Sequence, residues 1–260
     1  MRILFIGDIC GKPGRKLVAR RVPALRRELA LDFVVANAEN SAGGAGITPS
    51  TVQELLRCGI DVLTGGNHTW HRKEAYELLD REPCVLRPAN FPPGVPGRGS
   101  TVVRRNTLCL AVLNLQGRVF MDPLEDPFRW GRAEAARLRE ITPHILVDFH
   151  AEATSEKMAL AWYLDGLVTA VVGTHTHVQT ADERILPGGT ATITDVGMTG
   201  PAHGIIGMDR EAILQRFLTH LPVRFEVAQG PVQFNAVVVE ADETGRATAI
   251  RRIFEVYDAG

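Results

Sequence analysis

No two of the four cysteines, Cys10, Cys58, Cys84 and Cys109, form a C-x-x-C pair, which argues against a zinc knuckle and against a disulfide framework. Serine is equally scarce, with Ser41, Ser50, Ser100 and Ser155 the full complement. The G-x-S-x-G pattern is absent too, so a serine hydrolase is not indicated. The first apolar run, "ILFI", is broken by Asp8 before it could serve as a signal-peptide core. No uninterrupted apolar run reaches the about 18 residues that a membrane helix needs. Nor is there an excess of either charge: the formal net charge is −1, so nothing global advertises nucleic acid or a membrane. These absences leave a cytoplasmic, reducing location as the expectation, with no membrane partner.

What is present is an ordinary soluble composition over 260 residues, 45% hydrophobic and 23% charged, long enough to bury a sizeable core in one domain spanning 1–260. Short apolar runs alternate with helical patterns: "RILFIGD" (2–8), "DFVVANAEN" (32–40), "DVLTGGN" (61–67), "HILVDFH" (144–150) and "VTAVVGTH" (168–175). Helices are expected near 14–29, where Pro23 should kink or split the element, and at 49–58, 72–81, 132–140, 154–165 and 209–220. Thr48 before Pro49 is a capping hydroxyl followed by a proline at the first helical position. Residues 100–117 read as a hairpin turning near Asn106-Thr107, and 233–258 as another turning at Glu243-Thr244-Gly245. The Pro/Gly-rich stretch 88–100 reads as a surface loop within the domain. Parallel βα units joined by antiparallel strands predict an α/β sandwich, mixed sheets flanked by helices.

The five apolar runs share a feature at their carboxyl ends. They finish in Asp8, in Glu39 and Asn40, in Asn67 and His68, in His150, and in His175 and His177. A lone Asp or Asn after a strand usually caps a helix or makes a turn. Parallel strands, however, gather ligands outside their carboxyl ends, and five such runs aim polar groups at one rim. Imidazoles, carboxylates and amide oxygens without a thiolate pair suit manganese, iron or zinc. The number of donors is enough for two ions, which about 4 Å apart can clamp the attacking and leaving oxygens of a phosphoryl transfer.

"GD" after the first strand, "GNH" after the third, a lone histidine after a later strand and "GTHTH" after another resemble the metallophosphoesterase signature. More narrowly, "MRILFIGDICGKPGR", "NAENSAGGAGIT", "LTGGNHTWHRKE", "VDFHAEATSEK" and "GTHTHVQTAD" resemble the YmdB-type branch, bacterial phosphodiesterases of cyclic nucleotides. The resemblance implies the calcineurin-like αββα sandwich and two divalent or trivalent metal ions, iron ahead of manganese or zinc. It also implies a metal-bridging hydroxide as nucleophile, a homo-oligomer and an indirect link to RNA metabolism. The sequence departs from the general superfamily pattern: Cys10 stands where D-x-H places a histidine, and "NAEN" replaces G-D-x-x-D. In this branch Glu39 takes the place of the bridging aspartate and Asn40 supplies the lost ligand. Asp8, Glu39, Asn40 and His177 then hold one ion, and Glu39, Asn67, His150 and His175 the other. His68 is left to protonate the leaving oxygen or stabilise transition-state charge on a 2′,3′- or 3′,5′-cyclic nucleotide or another phosphodiester.

Other readings are weaker. "GDICGKPG" is one residue short of a P-loop, and Pro13 sits where a Ser or Thr belongs. The basic segment 14–29 reads as a solvated amphipathic face with Leu17, Val18, Leu25 and Leu29 inward, although its arginines could steer anions. The segments 41–48 and 199–207 could present backbone N–H groups to a phosphate or base or equally be flexible loops, and Cys10 is either a bystander or an oxidation-sensitive thiol. His71, His144, His203 and His220 read as packed or surface residues, with His203 the one placed to reach a pocket. A metal-dependent nucleotide- or RNA-binding regulator with little turnover is the alternative from another functional class. A barrel amide hydrolase is disfavoured, because its H-x-H pair usually follows the first strand.

Overall fold

The computed structural model describes residues 1–258. Its strands, numbered in chain order, are β1 (Arg2–Ile6), β2 (Asp8–Ile9), β3 (Phe33–Asn37), β4 (Val62–Thr64), β5 (Ser100–Arg105), β6 (Leu108–Gln116), β7 (Ile145–His150), β8 (Ala170–Thr174), β9 (Arg184–Ile185), β10 (Ala191–Ile193), β11 (Met198–Pro201), β12 (Val232–Ala241) and β13 (Ala247–Tyr257). Its helices are α1 (Gly11–Glu28), α2 (Pro49–Arg57), α3 (Ala75–Arg81), α4 (Pro127–Arg139), α5 (Thr154–Tyr163) and α6 (Arg210–Thr219). One sheet runs β2-β11-β12-β1-β3-β4, with β13 on β12, and the other β5-β6-β7-β8-β10-β9.

Strands β1, β3 and β4 are parallel, as are β6, β7 and β8. The two expected hairpins supply antiparallel pairs, β5 with β6 and β12 with β13, with left-handed Asn106 and Gly245 in their turns. Side-chain alternation divides each central strand between two cores. Leu4, Ile6, Val34 and Ala36 face α1 and α2, whereas Ile3, Phe5, Phe33 and Val35 meet Val112, Leu146 and Val172 between the sheets. On the far side Leu113, Ile145 and Val147 pack against Ala135 and Leu138 of α4 and Leu160 of α5. Layering is therefore helix, sheet, sheet, helix, the αββα sandwich that the resemblance implies. No helix among the described residues is long and apolar enough to cross a membrane.

One local expectation changes. Helix α1 is a single element that contains Pro23 rather than splitting there. An interior proline costs about 3 kcal/mol, and the unbroken buried face of Leu17, Val18, Val22 and Leu25 offsets it. The five apolar runs are divided between the sheets, three in the first and two in the second, so their shared rim spans the gap between sheets. Thr48 caps α2 as expected, its hydroxyl accepting from the Thr51 N–H.

Candidate metal centre

The face that builds the inter-sheet core turns polar as the strands reach their carboxyl ends. Phe33 and Val35 are followed on that face by Asn37 and Glu39, Val62 by Thr64, Leu146 by Asp148 and His150, and Val172 by Thr174. All of these polar residues are buried. Buried polar groups need partners, and most here have them. Asn37 donates to the Gly65 carbonyl at 3.2 Å and to Asp148 Oδ2 at 3.1 Å. The Thr174 hydroxyl donates to Asp148 Oδ1 at 2.8 Å and lies 2.9 Å from His150 Nδ1. With its proton committed to Asp148, Thr174 accepts Nδ1–H of His150, which leaves Nε2 as the ring atom facing the cleft.

Around that atom stand Asn67 Oδ1 at 2.9 Å, Glu39 Oε1 at 3.1 Å and His175 Nδ1 at 3.1 Å. Glu39, His150 and His175 offer donor atoms all within 4.8 Å of one another. On the other side of Glu39, the Asn40 amide lies 3.1 Å from His177 Nε2, which is 3.8 Å from Asp8 Oδ1. Asp8 also accepts the His175 N–H at 3.1 Å, yet its buried Oδ1 has no hydrogen-bond partner. The fold thus brings all seven expected ligands, Asp8, Glu39, Asn40, Asn67, His150, His175 and His177, into one cluster around Glu39. An orphaned carboxylate oxygen and a convergent N/O donor set fit metal ions.

Glycines allow the crowding. A Cβ on Gly66 would lie 2.2 Å from His150 Cδ2 and 2.4 Å from Glu39 Oε2. One on Gly7 would lie 1.9 Å from the Gly197 carbonyl oxygen, which blocks the approach that seats Asp8.

The charges follow from burial and proximity. Burial pushes the Glu39 carboxyl upward, but His150 and His68 outweigh it and hold the pKa at about 2. His150 is pulled down by burial and raised by Glu39 and Asp8, with a net rise to about 9. Burial, then His150, drives His175 down to about 3. Burial raises Asp8, and it lifts Asp148 to about 7 against the pull of His150.

His68 sits at the mouth, with its N–H donating to Glu39 Oε2 at 3.0 Å and its Nδ1 2.6 Å from Asn40 Oδ1. Its ring packs on that of His71, 4.5 Å between centroids. Burial lowers its pKa, and Glu39 opposes that shift.

Several groups escaped the sequence reading. His175 and His177 have φ of 104° and 66°, a strained region for residues other than glycine. Between them Thr176 donates both its N–H (3.0 Å) and its hydroxyl (2.7 Å) to Asp195 Oδ2. Lys157 Nζ donates to that oxygen at 2.7 Å, with Lys157 4% and Asp195 1% exposed. A buried ion pair therefore pins the histidine turn. Glu152 Oε2 lies 3.0 Å from His175 Nε2, and the Ile206 carbonyl is 2.9 Å from His177 Nδ1.

The contact that 199–207 makes with the donor cluster is through this carbonyl, an acceptor. In 41–48, the Ala42 and Gly44 N–H groups are spent on the Gly46 and Asn40 carbonyls. Cys10 is buried, and burial with Asp8 beside it pushes its thiol up to about 12, so it is not a reactive thiolate. His203 lines a separate cavity with Asp209 and Arg210.

Sandwich and donor set together define a metallophosphoesterase. The chain belongs to the YmdB-like protein family, whose signature covers residues 4–253. It is 55% identical over 254 residues to the 2′,3′-cyclic-nucleotide 2′-phosphodiesterase of Bacillus subtilis (strain 168), covering 97% of this chain and 96% of that one. A hypothetical protein from Thermus thermophilus superposes with a TM-score of 0.91 at 46% identity, over 100% of both chains. A novel phosphatase of Mycoplasma pneumoniae does so with a TM-score of 0.93 at 34% identity, over 100% of this chain and 94% of that one.

Proposed function

We propose that this metal-dependent phosphodiesterase hydrolyses cyclic nucleotides, the 2′,3′-cyclic ring first. The observation that carries the reading is the meeting of six buried or half-buried N/O donor residues around Glu39. The activity for which the 55% identical Bacillus relative is named supports the choice of ring.

In this reading Asp8, Glu39, Asn40 and His177 would hold one ion and Glu39, Asn67, His150 and His175 the other, so that Glu39 belongs to both sets. The absence of a thiolate in the cluster favours iron, manganese or zinc. When bound, such ions supply Lewis-acid charge to the phosphoryl oxygens and a nucleophilic water near neutral pH. The chain's own groups orient and exclude. Asp148 and Thr174 fix the His150 tautomer, and the Asp195–Lys157 pair fixes the turn that carries His175 and His177. His68 has Nδ1 engaged by Asn40, so Nε2 is the atom left to meet the leaving oxygen. Proton delivery from there requires the imidazolium, which Glu39 Oε1 at 3.5 Å favours and burial opposes. A homo-oligomer belongs to the same reading, since α6 and the chain after it expose Phe217 (71%), Leu218 (82%) and Leu221 (60%).

The test is product formation from 2′,3′- and 3′,5′-cyclic nucleotides and linear diesters, with metal-reconstituted and chelated protein. Metal-dependent opening of the 2′,3′ ring is expected. Tight nucleotide binding without product would replace catalysis by a regulatory binding role.

A further inference from the structure

We propose that the cavity beside His177 is a nucleobase subsite, so that the substrate is recognised as a nucleoside cyclic phosphate and not only as a phosphate ring. The inference rests on the phosphodiesterase reading above.

The cavity has a volume of about 470 Å³ and is lined by His177, Val178, Met198, Asn235, Arg252 and Phe254, a size within the range of small-molecule sites. His177 is common to the cavity and the donor cluster. Its Nε2 faces Asp8 and Asn40, so a ligand whose phosphate sits among the donors has this cavity next to it.

The apolar wall comes from strand periodicity. Residues 250, 252, 254 and 256 of β13 share one face, and Ile250 of that face packs into the inter-sheet core. Arg252 and Phe254 continue the face beyond that core, where Phe254 is 61% exposed and Val178, from the chain after the histidine turn, 64% exposed. An aromatic ring and a branched aliphatic group lining one cavity suit a stacked base. Arg252, held by Glu183 at 2.8 Å, adds a guanidinium at the rim.

One polar wall residue is buried and bound to the chain itself. Asn235 is 1% exposed and its Nδ2 donates to the Met198 carbonyl at 2.9 Å, while its Oδ1 has no partner.

The experiment compares two substrates on the metal-loaded protein: 2′,3′-cyclic AMP, and glycerol 1,2-cyclic phosphate, which has the same reacting ring without a base. The wild type should prefer the nucleotide in kcat/KM, and Phe254→Ala should cut that preference about tenfold, mainly through KM. Val178→Ser should act in the same direction. A preference unaltered in both variants overturns the subsite. So does an unaltered preference with larger oligomers falling apart in sedimentation, which assigns the face to a second copy of the chain. If the wild type opens neither ring, the phosphodiesterase reading fails and the subsite is judged by calorimetry with adenosine. Binding that Phe254→Ala abolishes supports it, and no binding to the wild type overturns it.

Discussion

Replacing Lys157 by methionine tests whether the histidine turn is held from behind. The substitution keeps a long, flexible side chain but removes the ammonium that lies 2.7 Å from Asp195 Oδ2. Asp195 is 1% exposed, so its charge would keep only the Thr176 N–H and hydroxyl on Oδ2 and the Gly197 N–H on Oδ1. Removing one partner of a buried ion pair costs about 3–5 kcal/mol, because the other charge is left uncompensated. With an m value of about 3 kcal/mol/M in urea, the unfolding midpoint should fall by about 1–1.7 M. The second readout is local. Two left-handed histidines cost about 1–3 kcal/mol each in backbone strain, and the Thr176 contacts to Asp195 offset part of that. The variant should therefore bind metal more weakly under conditions where it remains folded. Urea unfolding followed by circular dichroism, with metal titration of the folded variant, measures both effects. A midpoint shift below about 0.3 M, less than about 1 kcal/mol at that m value, together with unchanged metal affinity would refute the reasoning.

Thr176→Val removes only the hydroxyl that donates to a charged acceptor. It should cost about 1.5–3 kcal/mol in urea unfolding and weaken metal binding, whereas Thr176→Ser should restore both. Gly66→Ala places a methyl 2.2 Å from His150 Cδ2. Spectroscopic metal titration should show loss of high-affinity binding, and thermal unfolding a stability loss of about 1–3 kcal/mol. His68→Ala should lower turnover about a hundredfold, the low end of general acid–base contributions, with metal content retained by elemental analysis. Chelation should lower the melting temperature, because ions at about 100 times their Kd add about 2.7 kcal/mol to the folded state.

The cluster was legible because a polar residue ending an apolar run has no partner in the core it leaves. Asp8, Glu39, Asn67, His150 and His175 all carry that mark. What the runs do not encode is which sheet each strand joins. "DFVVAN" and "HILVDFH" have the same local pattern, and only the pairing of β1 with β3 and of β7 with β8 separates them. Asp148 had a signal in hindsight, an acid inside an apolar strand two residues before His150. Lys157 had none: within "TSEKMAL" it reads as a solvated helix lysine, and its partner lies 38 residues away. The Ile206 carbonyl is a backbone acceptor and leaves no trace in residue identity. Pro23 misled because a local rule for helix breaking was outweighed by the buried face around it.

In the proposed centre Glu39 is the group shared by two ions. Metal content per chain, measured by elemental analysis after reconstitution, should be two for the wild type and one for His177→Ala. It should be close to zero for Glu39→Ala, with the fold intact by circular dichroism. A folded Glu39→Ala protein that keeps one or both ions would contradict the shared-ligand centre.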